Sequence, residues 1–342
     1  MKVLIDINHP AHVHFFRNAA KILQAEGHEV LFTSRAKDVT IALLDALGIP
    51  HLTLSRLGKS KLALLRELVQ RDFRLWRVTR KFKPDVMLAI GGTFIAHVGK
   101  LTGIPSLVFY DTENAHMQNR ITYPFARLVV VPDCYKAWLP AHHRRYAGYH
   151  ELAYLHPRYF TPDAAVAEAN GYEAGRDNFL LRIVSWQANH DVGERGWNRD
   201  LLAAVVGFLA QRGRVLISSE QPLGAEFAPY LYRGNPAALH DVLAHCRLCL
   251  GESATLASEA SVLGVPSIYA AHTGRGYTDE QEEKYGLVTN LQQLDAEAII
   301  AAASAILEQP RGHWQLQRQR LLDDCVDVTG LIVQLAKEFG KG

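Results

Sequence analysis

Short β-branched runs alternate with stretches of helical periodicity along most of the 342 residues, and few folds accommodate that order. Val3-Leu4-Ile5-Asp6-Ile7 is too short for a helix and reads as a buried strand. Between Val13 and Glu26 the apolar positions Phe16, Ala19, Ala20 and Leu23 recur at three and four, the spacing of one helix face, and Gly27 supplies a left-handed stop. Val30 to Thr33 is a second strand, and a helical stretch from Val39 to Leu47 closes at Gly48 and Pro50. Val86 to Ile90, Ser106 to Tyr110 and Leu128 to Val131 continue the rhythm. The pattern predicts a parallel sheet with helices on both faces.

Between Tyr146 and Asn178 the rhythm breaks. Pro157, Pro162, Gly171 and Gly175 fall there among aromatics, and the stretch reads as an inter-domain linker with a helix. Strands resume at Leu180 to Val184, Val215 to Ser218, Leu248 to Leu250 and Pro266 to Tyr269, and Leu331 to Phe339 is helical again. At roughly 150 residues per domain the length fits two α/β units of similar size.

Composition excludes several classes. Hydrophobic residues make up 48% and charged residues 21%, enough for two cores. Lys and Arg (37) against Asp and Glu (35) leave +2, so no overall field draws the chain to nucleic acid. Four cysteines are too few for a disulfide scaffold and fit a reducing, cytoplasmic setting. Cys246-x-x-Cys249 has no second pair and reads as buried and structural. Asp6 interrupts a signal-peptide core, and the longest small or apolar run, 299–307, is about half a membrane span. A secreted mini-protein, an integral membrane protein and a disordered chain are not expected.

In open parallel sheets ligands lie at the carboxyl ends of strands, and between two such domains the cleft is the default site. Asn8-His9-Pro10-Ala11-His12-Val13-His14 follows the first strand. Its histidines have no acidic or cysteine partner at ligand spacing, so no metal is expected. His12 suits a general base or a phosphate or sugar contact, while His9 and His14 also fit a solvated or helix-capping role. Gly91-Gly92-Thr93 follows another strand. There the glycines would let the backbone approach an anion, although a tight turn without a ligand fits equally. Asp111, Glu113, Asn114 and His116 follow the next strand, a set suited to acid–base work or hydroxyl binding.

The sharpest signal is Gly251-Glu252-Ser253-Ala254-Thr255 with Glu259 beyond it. A strand meets a short polar loop and a helix of small residues, whose free amides and positive dipole end suit a diphosphate. Glu259, about one turn on, is placed to accept two vicinal hydroxyls such as a ribose presents. Ser185, Gln187 and His190 follow the first strand of the second half, and a polar loop through Gly274 and Gly276 leads to Glu280 and Gln281.

Together these residues resemble the GT-B glycosyltransferase superfamily, especially the transferases of peptidoglycan synthesis that add N-acetylglucosamine to a lipid-linked acceptor. The likeness runs in order through His12-Val13, Gly91-Gly92-Thr93, Glu113-Asn114, Ser185 to Ala188, Ser253-Ala254-Thr255 with Glu259, and Gly264-x-Pro266. More closely, the chain resembles a GT-B-like group that opens Asp-x-x-His-Pro-x-His and carries Tyr-x-Gly-x-x-Glu-x-x-Tyr-Leu, here Tyr146, Gly148, Glu151, Tyr154 and Leu155. The resemblance implies two Rossmann-like domains around a nucleotide-sugar cleft. Residues 1–160 would form the acceptor domain, 161–328 the donor domain, and 329–342 a helix crossing back to the first.

By the same resemblance His12 is a base or phosphate contact, Ser253 to Thr255 hold the diphosphate, Glu259 the ribose, and Glu280 and Gln281 the donor sugar. The co-substrate would be UDP-linked, with no other cofactor and no metal. One departure is Asn8-His9-Pro10-Ala11 in place of a glycine-rich first loop. UDP-N-acetylglucosamine 2-epimerases share the fold and form the alternative. Glu113 and His190 fall near their acid and histidine, but Gly92 stands where they carry an aspartate.

The expected activity is transfer of a sugar to a cell-surface polysaccharide or glycolipid by displacement at the anomeric carbon, with His12, or else Glu113, deprotonating the acceptor. A catalytically silent sugar-nucleotide-binding protein is the third reading. Residues 56–83 carry ten Lys or Arg against Glu67 and Asp72, interleaved with Leu62, Leu65, Leu68, Phe73 and Trp76. This stretch fits peripheral contact with an anionic leaflet, or a solvated helix face beside the core.

Overall fold

A computed structural model describes residues 1–37, 39–58, 60–184 and 196–340. Its first part runs β1 (Lys2–Ile7), α1 (Pro10–Ala25), β2 (Glu29–Ala36), α2 (Thr40–Ala46), β3 (His51–Arg56), α3 (Lys61–Phe82), β4 (Val86–Ile90), α4 (Thr93–Thr102), β5 (Ser106–Phe109), α5 (His116–Thr122), β6 (Leu128–Pro132), β7 (His143–Tyr146) and α6 (Leu152–Leu155). The rest runs α7 (Ala164–Ala169), β8 (Asn178–Ile183), α8 (Arg199–Ala210), β9 (Arg214–Ser219), α9 (Leu239–His245), β10 (Leu248–Gly251), α10 (Ala254–Leu263), β11 (Ser267–Ala270), α11 (Gly276–Tyr285), β12 (Val288–Leu291), α12 (Ala296–Glu308), α13 (Arg311–Asp324) and α14 (Val328–Phe339).

The chain divides into Met1–Tyr154 with Val326–Gly342, and Leu155–Cys325. The first boundary falls earlier than the expected residue 160. Ala153 is held in the first unit, where its carbonyl accepts from Asn18 Nδ2 (2.9 Å) and Thr329 Oγ1 (2.7 Å). The return also begins before 329, because the Val326 amide already donates to Ala147 O at 2.9 Å. From there α14 lies against α1, and Arg144 pairs with Glu338 at 2.8 Å.

The first unit is built on a seven-stranded parallel sheet in the order β3-β2-β1-β4-β5-β6-β7. Strands β1, β4, β5 and β6 are buried nearly throughout, as strands covered on both faces must be. The second unit has five parallel strands in the order β12-β11-β10-β8-β9. Three strands lacked an apolar run in the sequence: β3 (HLTLSR), β7 (HRRY) and β12 (VTNL). All three are sheet edges, where one side meets solvent and polar residues are tolerated.

Helix α3 takes part of the charged stretch 56–83 into the core. Arg71 is fully buried and pairs with Asp6, Glu67 is buried against Arg35, and Arg74 donates inward to Leu54 O at 2.5 Å. Leu75 is core, and Leu68 and Trp76 pack against it, while Val69 and Phe73 are exposed. Among the described residues no helix is long and apolar enough to cross a membrane.

Candidate functional site

In both sheets the chain starts in the middle and then builds outward in opposite directions. The strand order reverses between β1 and β4 in the first unit and between β8 and β10 in the second. Loops leaving such neighbouring strands diverge, and the carboxyl-end crevice they leave is where open α/β sheets bind ligands. The loops after β1, β4 and β10 are Asn8-His9, Gly91-Gly92 and Glu252-Ser253.

A buried relay fixes the first loop. The Asp6 carboxylate accepts from Arg71 NH2 (2.7 Å) and Thr33 Oγ1 (2.6 Å) on one oxygen, and from Asn8 Nδ2 (3.1 Å) on the other. The Asn8 backbone N–H donates to His12 Nδ1 at 3.3 Å. With Nδ1 accepting, the neutral ring carries its proton on Nε2 and presents a donor. Burial, then the charge of His9, hold the His12 imidazole well below its ordinary pKa, although Asp111 opposes them. His9 is exposed and caps α1, its Nδ1 accepting the Ala11 amide at 3.3 Å. His14 lies against the Tyr154 ring, with centroids 5.3 Å apart.

Next to His12 is a pair that the sequence reading did not assemble. Asp111, two residues beyond β5, accepts from His150 Nδ1 at 3.1 Å. Burial alone would raise the Asp111 carboxyl, but the charge and hydrogen bond of His150, with Thr112 and His12, bring it down to about 2. His150 is 5% exposed and its ring lies 4.5 Å from that of Phe15. Its Nε2 is buried without a hydrogen-bond partner among the described residues. Leaving such an acceptor unmatched costs about 1–3 kcal/mol. The available signal was positional, since His150 follows a parallel strand, but β7 is the polar edge strand HRRY.

The protein's own packing also constrains Gly91, Gly92 and Thr93. Gly91 and Gly92 have φ of +70° and +58°, and a Cβ there would lie 2.3 Å from Gln118 Nε2 and 2.4 Å from Val108 Cγ1. Tyr110 OH also donates to Gly91 O at 2.5 Å. Thr93 is buried, its hydroxyl 2.8 Å from that of Thr122. Glu113 and Asn114 are partly buried on the β5–α5 loop, and Asn114 Oδ1 has no partner among the described residues.

In the second unit Ser253 caps α10, its Oγ accepting the Leu256 amide at 3.2 Å. Helix geometry leaves the Ala254 and Thr255 amides among the donors at that end. Ser253 and Thr255 are partly exposed and Ala254 nearly buried. Glu252 accepts from the amides of Val184 (3.0 Å) and Trp197 (2.5 Å). Ser185, Gln187 and His190 lie outside the described residues.

Glu259 is 7% exposed, with Oε1 3.0 Å from His240 Nε2. Gln281 is fully buried and ties α11 to α10 through Ser258 Oγ at 2.8 Å, a packing role that the spacing did not reveal. Glu280 pairs with Lys284 at 2.9 Å. Cys246 and Cys249 are buried, and burial pushes the Cys246 thiol up to about 12.

The family described as "Protein of unknown function (DUF354)" matches residues 1–338. The chain belongs to the DUF354 family. Within curated proteins it is 26% identical over 132 residues to "Uncharacterized protein MJ0665" of Methanocaldococcus jannaschii, a match that takes in 39% of this chain and 39% of that relative. Among solved structures, the spinosyn forosaminyltransferase SpnP matches with a TM-score of 0.68 at 13% identity, covering 100% of both chains. The UDP-GlcNAc 2-epimerase of Methanocaldococcus jannaschii matches with 0.68 at 13%, covering 99% of this chain and 100% of that one. MurG of Acinetobacter baumannii matches with 0.63 at 14% and the same coverage. At these identities the likeness establishes the fold: this DUF354 chain has the GT-B fold of two parallel-sheet α/β domains.

Proposed function

We propose that the chain is a glycosyltransferase that moves a sugar from a UDP-linked donor to a cell-surface polysaccharide or glycolipid acceptor. The observation that carries this reading is the first turn of α10. It starts directly beyond β10 at the β8/β10 strand reversal, is capped by Ser253, and keeps Ser253 and Thr255 partly exposed. Its amides and dipole end suit a diphosphate and would stabilise the negative charge of the departing UDP without calling on a metal. Glu259, about one turn further along α10 and facing His240 through Oε1, would accept the ribose hydroxyls.

On the acceptor side, neutral His12 offers Nε2–H to an oxygen of the acceptor or of the donor phosphate. The Arg71–Asp6–Asn8 relay holds it in that tautomer. The exposed Val69 and Phe73 of α3 suit a lipid-linked acceptor at a membrane surface. Nuclear magnetic resonance of the protein with UDP-GlcNAc, related donors and a lipid-linked acceptor tests the reading. Release of UDP together with a glycosylated acceptor supports transfer. Epimerised donor without UDP release means an epimerase, and unchanged donor with folded protein counts against both activities.

A further inference from the structure

The loop after β6 leaves one large ring in solvent. Trp138 is 71% exposed, in a chain whose Trp197 and Trp314 are buried. A buried partner backs it: its ring lies 5.9 Å from that of Tyr123, whose hydroxyl stands 3.0 Å from that of Tyr135. Beside it opens a cavity of about 330 Å³, formed by the first unit alone and lined by His116, Asn119, Arg120, Ala137 and Trp138. That volume is at the small end of the range for ligand sites, about 300–1,000 Å³. His116, Asn119 and Arg120 stand three and four positions apart on α5, so one helix face makes one wall. His116 and Arg120 are exposed and make no ion pair among the described residues. Asn119 Nδ2 donates to Tyr135 OH at 3.3 Å, and its Oδ1 has no partner among the described residues.

The lining asks for three kinds of group. The electron-rich face of Trp138 packs C–H bonds, as the apolar face of a pyranose presents. The planar guanidinium of Arg120 matches a carboxylate or phosphate, and no acid lines the cavity to neutralise it. The unmatched acceptor of Asn119 calls for a hydroxyl, directly or through a water. We propose that this cavity is a subsite for an acidic sugar, its ring stacked on Trp138 and its anionic group on Arg120. Resting on the transferase reading above, the proposal makes the acceptor an anionic polysaccharide or glycolipid.

The Trp138 indole N–H resonance, assigned by its loss in Trp138→Phe, reads occupancy without donor or turnover. Methyl glucuronide or glucose 6-phosphate should shift it with a Kd of about 1–10 mM, the range for a ligand of this size, and a shift by one alone identifies the anion. Neutral methyl glucoside should bind about tenfold more weakly. By saturation-transfer resonance of the ligands, Arg120→Gln should bring acidic and neutral sugars within about threefold of each other, and Trp138→Ala should weaken both by about tenfold. Both side chains are exposed, so the variants should keep the wild-type melting temperature. An indole unmoved by about 50 mM of either acid, equal affinity for the neutral sugar, or tighter binding of UMP overturns the subsite. Acidic sugars that bind here while no acidic acceptor is glycosylated contradict the transferase reading and leave the subsite standing.

Discussion

Arg71→Met removes a guanidinium that is wholly inside the first unit. The side chain is 0% exposed, as is that of Asp6, and the two meet at 2.7 Å. Arg71 also donates to Ser55 Oγ at 2.9 Å and lies 4.5 Å over the Phe94 ring. Methionine fills much of the space but leaves the Asp6 carboxylate buried with only Thr33 and Asn8 to hold it. Breaking one side of a buried pair costs about 3–5 kcal/mol, because the surviving charge has lost its counterion. In a domain of this size that lowers the melting temperature by about 10 °C or more. Urea unfolding followed by circular dichroism gives the free energy, and Asp6→Leu combined with Arg71→Met should recover much of the loss by removing the stranded charge. A single-variant cost below about 1 kcal/mol, the level of an exposed pair, would refute the relay.

Two further outcomes follow from the same unit. Gly92→Ala places a Cβ 2.4 Å from Val108 Cγ1 at φ +58°, and should cost about 2–4 kcal/mol in urea unfolding, whereas Gly48→Ala, at φ +63° with open space around it, should cost about 1 kcal/mol. Acid should weaken the unit in two stages. His12 is held neutral in the fold, so stability is lost as pH falls below its ordinary 6.5. The depressed Asp111 carboxyl contributes stability that is complete above 3.8 and lost as pH falls towards about 2, and Asp111→Asn should remove this second stage from a plot of denaturation midpoint against pH while deepening the first, because it takes away the carboxylate that favours a charged His12.

What the sequence made legible follows from burial. Strands covered on both faces read as apolar runs, so β1, β4, β5, β6, β8 and β10 could be placed, and with them the loops that carry the candidate side chains. Edge strands answer to solvent on one side, and β3, β7 and β12 carried no such run. The loss of β7 also hid His150, whose meaning depends on lying at the carboxyl end of a strand. Composition and periodicity likewise could not separate Arg71 from the other cations of α3, because its role comes from Asp6, 65 positions away. Glu259 and Gln281 show the converse. Glu259 was placed on a helix, as α10 bears out, whereas Gln281 was placed with a polar loop and lies inside α11, and contacts with His240 and Ser258 from other elements hold the two side chains.

The diphosphate site proposed at α10 can be tested without knowing the sugar or the acceptor. Thr255→Glu places a carboxylate in the first turn, where the helix dipole tolerates or favours it, so the fold should keep its melting temperature. The same charge would occupy and repel the position claimed for the diphosphate. Calorimetric titration with UDP should therefore show binding by the wild type and at least a tenfold weaker affinity, about 1.4 kcal/mol, for Thr255→Glu. Equal affinity for the two proteins, or no UDP binding by the wild type, would contradict the account.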